Sequence, residues 1–125
     1  KILMSNENIE GFKMLKLPGG GLEYGEGPVE CVIREFQEEL DVSIEVSRLL
    51  HTTETFIPSA FKKLEQVIAI HYLVTSNDAI ASMEITQPTR LGGENYHLFE
   101  WCTLNPELLD KLTFEMDRQA LSRLM

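Results

Sequence analysis

Glu35, Glu38 and Glu39 stand at i, i+3 and i+4, the spacing that sets side chains next to one another on one face of a helix. Like charges placed so repel by roughly 0.2–0.5 kcal/mol per pair, and the repulsion calls for compensation. Hard divalent cations supply it: Mg²⁺ takes oxygen ligands, commonly a few carboxylates, with water and substrate phosphate oxygens filling the remaining positions. Acidic runs are more often solvated helix faces, so the surroundings have to decide. Across residues 23–42, Glu23, Glu26, Glu30, Glu35, Glu38, Glu39 and Asp41 meet a single base, Arg34.

The neighbouring elements fit a site. Val29, Val32, Ile33, Phe36 and Leu40 recur at three- and four-residue steps and predict a helix beginning at Pro28, with Gly27 as its cap. Just before it, Pro18-Gly19-Gly20-Gly21 breaks regular structure and permits bare backbone to approach a ligand, which makes Gly19, Gly20 and Gly21 candidate substrate-binding residues. Lys1–Met4 and Phe12–Leu17 read as two strands joined by a loose polar connector, and the opening KILM reads as mid-strand, with residues expected upstream. Ile44–Leu50, Thr52–Ile57, Val67–Thr75 and His97–Thr103 are further strand segments, Val67–Thr75 being expected at the centre of a sheet. Asn105-Pro106-Glu107 starts a helix, Thr113–Met125 gives another, and Gly92-Gly93 marks a turn.

Gly20, five residues, Glu26, seven residues and then Arg34-Glu35-Phe36-Gln37-Glu38-Glu39-Leu40-Asp41-Val42 resembles the Nudix box, G-x5-E-x7-R-E-U-x-E-E-x-G-U, with U a bulky apolar residue. One defined position departs: Asp41 stands where the family has the glycine that ends the helix. Asp tolerates the left-handed conformation better than most residues, so a small stability cost is expected and no loss of chemistry. The resemblance covers nearly all of residues 1–125 as one domain. It implies the α/β (α+β) class in the form of the Nudix α/β/α sandwich, a mixed sheet flanked by helices.

The resemblance also implies roles. Glu35, Glu38, Glu39 and the Gly20 carbonyl are expected to bind Mg²⁺ or Mn²⁺, Arg34 to orient a catalytic carboxylate, and Glu26 to tie the loop to the helix. The expected reaction is attack of water on the diphosphate of ADP-ribose, a nucleotide sugar or a nucleoside triphosphate. Glu94, in LGGEN, is the favoured candidate for a further ligand or general base, ahead of Glu100. Phe56, Phe61, Tyr72, Tyr96 and Trp101 are available to stack on a base, although strand aromatics are more often core, and Pro58 lies at a spacing like that of ADP-ribose-cleaving members. A catalytically silent nucleotide-binding domain, or an acidic module meeting a basic partner, is the competing reading.

Bulk properties agree with one globular domain: 125 residues, 43% hydrophobic and 25% charged. A net charge of −9 opposes nucleic-acid polymers and anionic membranes as partners. No apolar run is long enough for a membrane span. Cys31 and Cys102, far apart and among apolar neighbours, read as free thiols in a reducing cytoplasm. His51, His71 and His97 lack ligand spacing and read as structural. Homodimerisation is an expectation of such folds.

Overall fold

The computed structural model describes residues 1–77 and 89–125. Its elements are β1 (Ile2–Ile9), β2 (Phe12–Lys16), α1 (Pro28–Leu40), β3 (Glu45–Thr52), β4 (Ile70–Thr75), β5 (Thr89–Gly92), β6 (Asn95–Cys102), α2 (Pro106–Lys111) and α3 (Glu115–Ser122). Two antiparallel sheets form, one in the order β2-β1-β6-β5 and the other pairing β3 with β4.

Strand alternation explains the layering. Leu3 packs with Phe36, Val42, Ile44 and Phe99, on the side that α1 covers, whereas its neighbour Met4 packs with Leu108, Leu112 and Leu121 of the C-terminal segment. Adjacent residues of a strand point to opposite faces, so β1 carries one core above the sheet and another below it. This is the α/β/α sandwich, with antiparallel pairing throughout the described strands where a mixed sheet was expected. Among the described residues no helix is long and apolar enough to cross a membrane.

The first hairpin is tighter than its polar sequence implied. Ser-Asn-Glu-Asn-Ile lies within β1, and Ile9 pairs directly with Phe12 across a two-residue turn. Glu10 (φ 51°) and Gly11 (φ 82°) both take positive φ, as the turn type that matches strand twist requires. The polar residues stay in the strand because their side chains are bonded there; Ser5 is 1% exposed. The outer edge of β2 is covered as well: Thr113 N–H donates to the Leu15 carbonyl (3.0 Å), and Leu15 N–H donates to Thr113 Oγ1 (2.8 Å). That use of Thr113 delays α3 to Glu115.

Residues 52–57 do not form the separate strand that was expected. They run beside 66–69 with irregular pairing: Thr53 N–H donates to Ala69 O (3.0 Å), Ala69 N–H donates to Thr53 Oγ1 (2.9 Å), and Pro58 makes an isolated bridge to Gln66. A threonine hydroxyl that replaces a carbonyl and a proline without a donor both interrupt a ladder. β4 therefore begins at Ile70, and among the described residues it pairs with β3 alone.

Gly27 caps α1 and Pro28 opens it, as the sequence implied. Asp41 ends it at φ 53°, ψ 44°, its N–H donating to the Gln37 carbonyl. A left-handed L-residue costs about 1–2 kcal/mol, less for Asp than for branched residues. Asp41→Gly is accordingly expected to raise stability slightly, and Asp41→Val to lower it by about 1–2 kcal/mol, both measurable by denaturant titration.

Candidate functional site

Arg34 organises the acidic segment. Its Nε and Nη2 donate to the two Glu26 carboxylate oxygens at 2.9 and 2.8 Å, a bidentate fork. Nη1 lies 3.1 Å from Glu38 Oε2, 3.2 Å from Glu35 Oε1 and 3.7 Å from Glu23 Oε1. Nη2 also donates to the Gly21 carbonyl (3.2 Å). One guanidinium thus joins the glycine loop, the turn that carries Glu23 and Glu26, and the carboxylate face of α1. The fork holds the Glu26 carboxyl down at about 2, with the Glu23 backbone hydrogen bond as the next cause. Glu26 also accepts from Glu23 N–H (3.0 Å), while Glu30 accepts from Gly27 N–H (3.3 Å) as part of the helix cap. Glu23 and Glu30, for which the sequence offered no chemistry, therefore help shape the loop and the helix start.

The loop and the helix meet at Gly20 and Glu35. A Cβ placed on Gly20 would collide with the Glu35 carboxyl, whose Oε2 would be 2.7 Å away. Only a glycine lets the backbone approach that carboxylate so closely.

Glu39 is perturbed in the opposite direction to Glu26. Burial first, then the charge of Glu35, push it up to about 7; Glu7 and Glu38 add to the rise and Lys16 opposes it. Among the described residues no three acidic, histidine or cysteine side chains converge closely enough to hold a metal ion as they stand. Glu35 and Glu38 instead turn toward Arg34. The donor chemistry still fits a hard cation: every candidate ligand is oxygen, and a carboxyl whose charged form is disfavoured by burial and then by neighbouring like charges gains from a bound cation. The Glu38 side chain is 59% exposed, which leaves it free to swing.

Beside the loop lies a cleft of about 1040 Å³. Gly19, Gly20 and Gly21 form one part of its wall, with Val32 and Phe36 of α1 and Ile70 and Tyr72 of β4 elsewhere. Phe61, Trp101 and Pro58 also line it, whereas Phe56 and Tyr96 do not. Asp117 stands at the cleft and is almost wholly buried; its Oδ1 lies 2.9 Å from His71 Nε2 and its Oδ2 accepts from Leu17 N–H (3.2 Å). His71 therefore has a structural partner, and His97 has one in Ser5 at 2.7 Å. His51 is buried. Cys31 and Cys102 are free thiols, both raised chiefly by burial.

The structure brings Arg34, Glu35, Glu38 and the glycine loop together, but not Glu94. That residue occupies the β5–β6 turn among Glu10, Gly11, Gly92, Gly93 and Asn95, its carbonyl accepting from Asn8 Nδ2 (3.1 Å). Glu100 pairs with Met4 in register, so alternation points it to the face away from α1, where Cys102 Sγ lies 3.9 Å from its Oε1. Sequence reasoning missed Ser5, Glu7 and Lys16, which lie on the α1 side of the sheet. The signal was available in the even spacing of Leu3, Ser5 and Glu7, had the strand been extended into polar residues.

A family model described as NUDIX domain matches residues 2–124 of this chain.

Proposed function

The chain belongs to the Nudix hydrolase family, and on that premise we propose that it is a Mg²⁺-dependent pyrophosphohydrolase cleaving the diphosphate of a nucleoside diphosphate derivative. ADP-ribose, nucleotide sugars and nucleoside triphosphates are the substrate classes to test. The observation that carries the reading is the contact between Gly20 and the Glu35 carboxyl. It sets bare backbone, suited to a diphosphate, against the carboxylates suited to its cations.

Glu35, Glu38, Glu39 and the Gly20 carbonyl would hold the cations, with Mn²⁺ able to replace Mg²⁺. When bound, such ions neutralise phosphate charge and lower the pKa of water. Backbone groups of Gly19, Gly20 and Gly21 orient the diphosphate, and the cleft takes the nucleoside and excludes solvent from it. Arg34 holds Glu35 and Glu38 in position while Glu26 holds Arg34. We assign acceptance of the proton from the attacking water to a box carboxylate, Glu35, in preference to Glu94, which sits among the hairpin turns.

The test is formation of the nucleoside monophosphate, the product common to these substrates, over a panel of them with Mg²⁺ and with excess chelator. Chelator-sensitive turnover of at least one substrate is expected. A panel with no turnover would leave a silent nucleotide-binding domain as the better reading.

Glu39 sets a pH dependence. Its folded pKa, about 7, lies above the ordinary carboxyl value of 4.5, so the metal-free fold retains a proton that the unfolded chain releases. Its contribution to stability is therefore present below 4.5 and lost as pH rises toward 7. Cation binding must displace the same proton, so Mn²⁺ affinity should fall roughly tenfold per pH unit below the folded pKa. Calorimetric titration from about pH 6 to about pH 8, roughly one unit on either side of the folded pKa, measures this. Glu39→Gln should flatten the dependence, and a parent affinity independent of pH would refute the assignment.

A further inference from the structure

Alternation places Ser5 and Glu7 of β1, Lys16 of β2 and His97 of β6 on the face of the sheet that also carries Leu3 and Phe99 and that α1 covers. They form a continuous polar chain. His97 Nε2 lies 2.7 Å from Ser5 Oγ, Ser5 Oγ donates to Glu7 Oε2 at 3.1 Å, and Lys16 Nζ donates to the same oxygen at 3.0 Å. Exposure rises along it: Ser5 is 1% exposed, the Glu7 side chain 14% and the Lys16 side chain 28%.

Polar groups on an inner sheet face cost stability unless bonded, and an apolar set of similar volume commonly packs at least as well. What this chain of groups accomplishes is to hold an ammonium at its outer end. Lys16 lines the cleft together with Gly19, Gly20 and Gly21. Among the described residues one Glu7 oxygen pairs with the ammonium, and a lysine has three donors to offer. Glu39, across from it on α1, feels the charges of both Lys16 and Glu7.

We propose that Lys16 is a substrate ligand of the cleft, its ammonium taking a non-bridging phosphate oxygen of the nucleoside diphosphate, and that Glu7, anchored by Ser5, is the residue that positions it. The inference rests on the hydrolase reading above and deepens it. An ammonium is a compact point charge suited to phosphate oxygens. Lys16 and Gly20 flank Leu17-Pro18-Gly19 in one stretch of chain, so the ammonium stands beside the loop proposed to bind the diphosphate. In a chain of net charge −9, a fixed cation also offsets the repulsion an anionic substrate meets on entry.

The experiment compares the parent with Lys16→Met, Lys16→Arg and Glu7→Gln in steady-state kinetics, with Mn²⁺ binding followed separately and folding checked by circular dichroism. Lys16→Met should raise KM by about 10–100-fold, the loss of one charge-assisted hydrogen bond, with kcat and Mn²⁺ affinity little changed. Lys16→Arg should recover most of the loss, and Glu7→Gln should raise KM by less than Lys16→Met does. Unchanged KM in Lys16→Met, a loss confined to kcat, or a loss seen with one base and not another on the same phosphates overturns the proposal. If the parent turns over no substrate, the hydrolase reading falls separately. Calorimetry with inorganic pyrophosphate and Mg²⁺ then decides for Lys16: weaker binding by Lys16→Met supports it, and equal binding, or none by either protein, overturns it.

Discussion

Glu38→Gln is expected to lower kcat/KM by at least about 100-fold, the scale on which loss of one transition-state electrostatic contact is felt, while leaving the fold intact. The two halves of that expectation come from different observations. The Glu38 side chain is 59% exposed and its recorded contact is with Arg34 Nη1 at 3.1 Å, while the guanidinium keeps its fork to Glu26 and its bond to the Gly21 carbonyl. Removing the charge therefore leaves Arg34 anchored, so the far-UV spectrum and thermal midpoint should hardly move. Catalysis should suffer because an amide retains the shape but loses the anionic oxygen that a hard cation prefers. Binding of Mn²⁺ should weaken in parallel with activity. Turnover within about threefold of the parent, a change of well under 1 kcal/mol in barrier, would remove Glu38 from the cation site and with it the proposed mechanism.

Gly20→Ala should separate activity from stability in another way. The added methyl would meet the Glu35 carboxyl directly. The end of a flexible side chain can move aside, so the fold should survive with a modest drop in thermal midpoint. Glu35 is the group that must stay in place for chemistry, and a displacement of about 1 Å can cost on the order of 100-fold in rate. The expected outcome is a cooperative unfolding transition near that of the parent together with a kcat reduced on that scale. Gly21→Ala is the control, since nothing lies near the corresponding Cβ. Equal losses in both variants would mean that stiffening of the loop or obstruction of its approach to the diphosphate, and not displacement of Glu35, explains the effect.

Both expectations depend on residues that could be picked out by spacing. Glu35, Glu38 and Glu39 share a helix face because 3.6 residues make a turn, and Pro28, Gly27 and Asp41 bound that helix by rules that act within a few residues. The same local physics marked the glycine loop, the cap at Asn105 and most of β6. Local rules were weaker where the chain is polar and yet ordered. Ser5, Glu7 and Asn8 look like a connector in isolation, and only partners distant in sequence, such as His97 and Lys16, make them strand residues.

Whatever lies within one helical turn or one loop of this protein, the amino-acid order determined by itself: the carboxylate face of α1, the bare backbone at Gly20 and the left-handed stop at Asp41. Tertiary structure decided which distant groups meet that face. Register between β1, β2 and β6 brought Ser5, Glu7, Lys16 and His97 to the α1 side and turned Glu100 away from it. The reason is geometric: a strand's side chains alternate, so a pairing shifted by one residue would exchange the two sets, and that pairing is settled by packing Leu3 on one face and Met4 on the other.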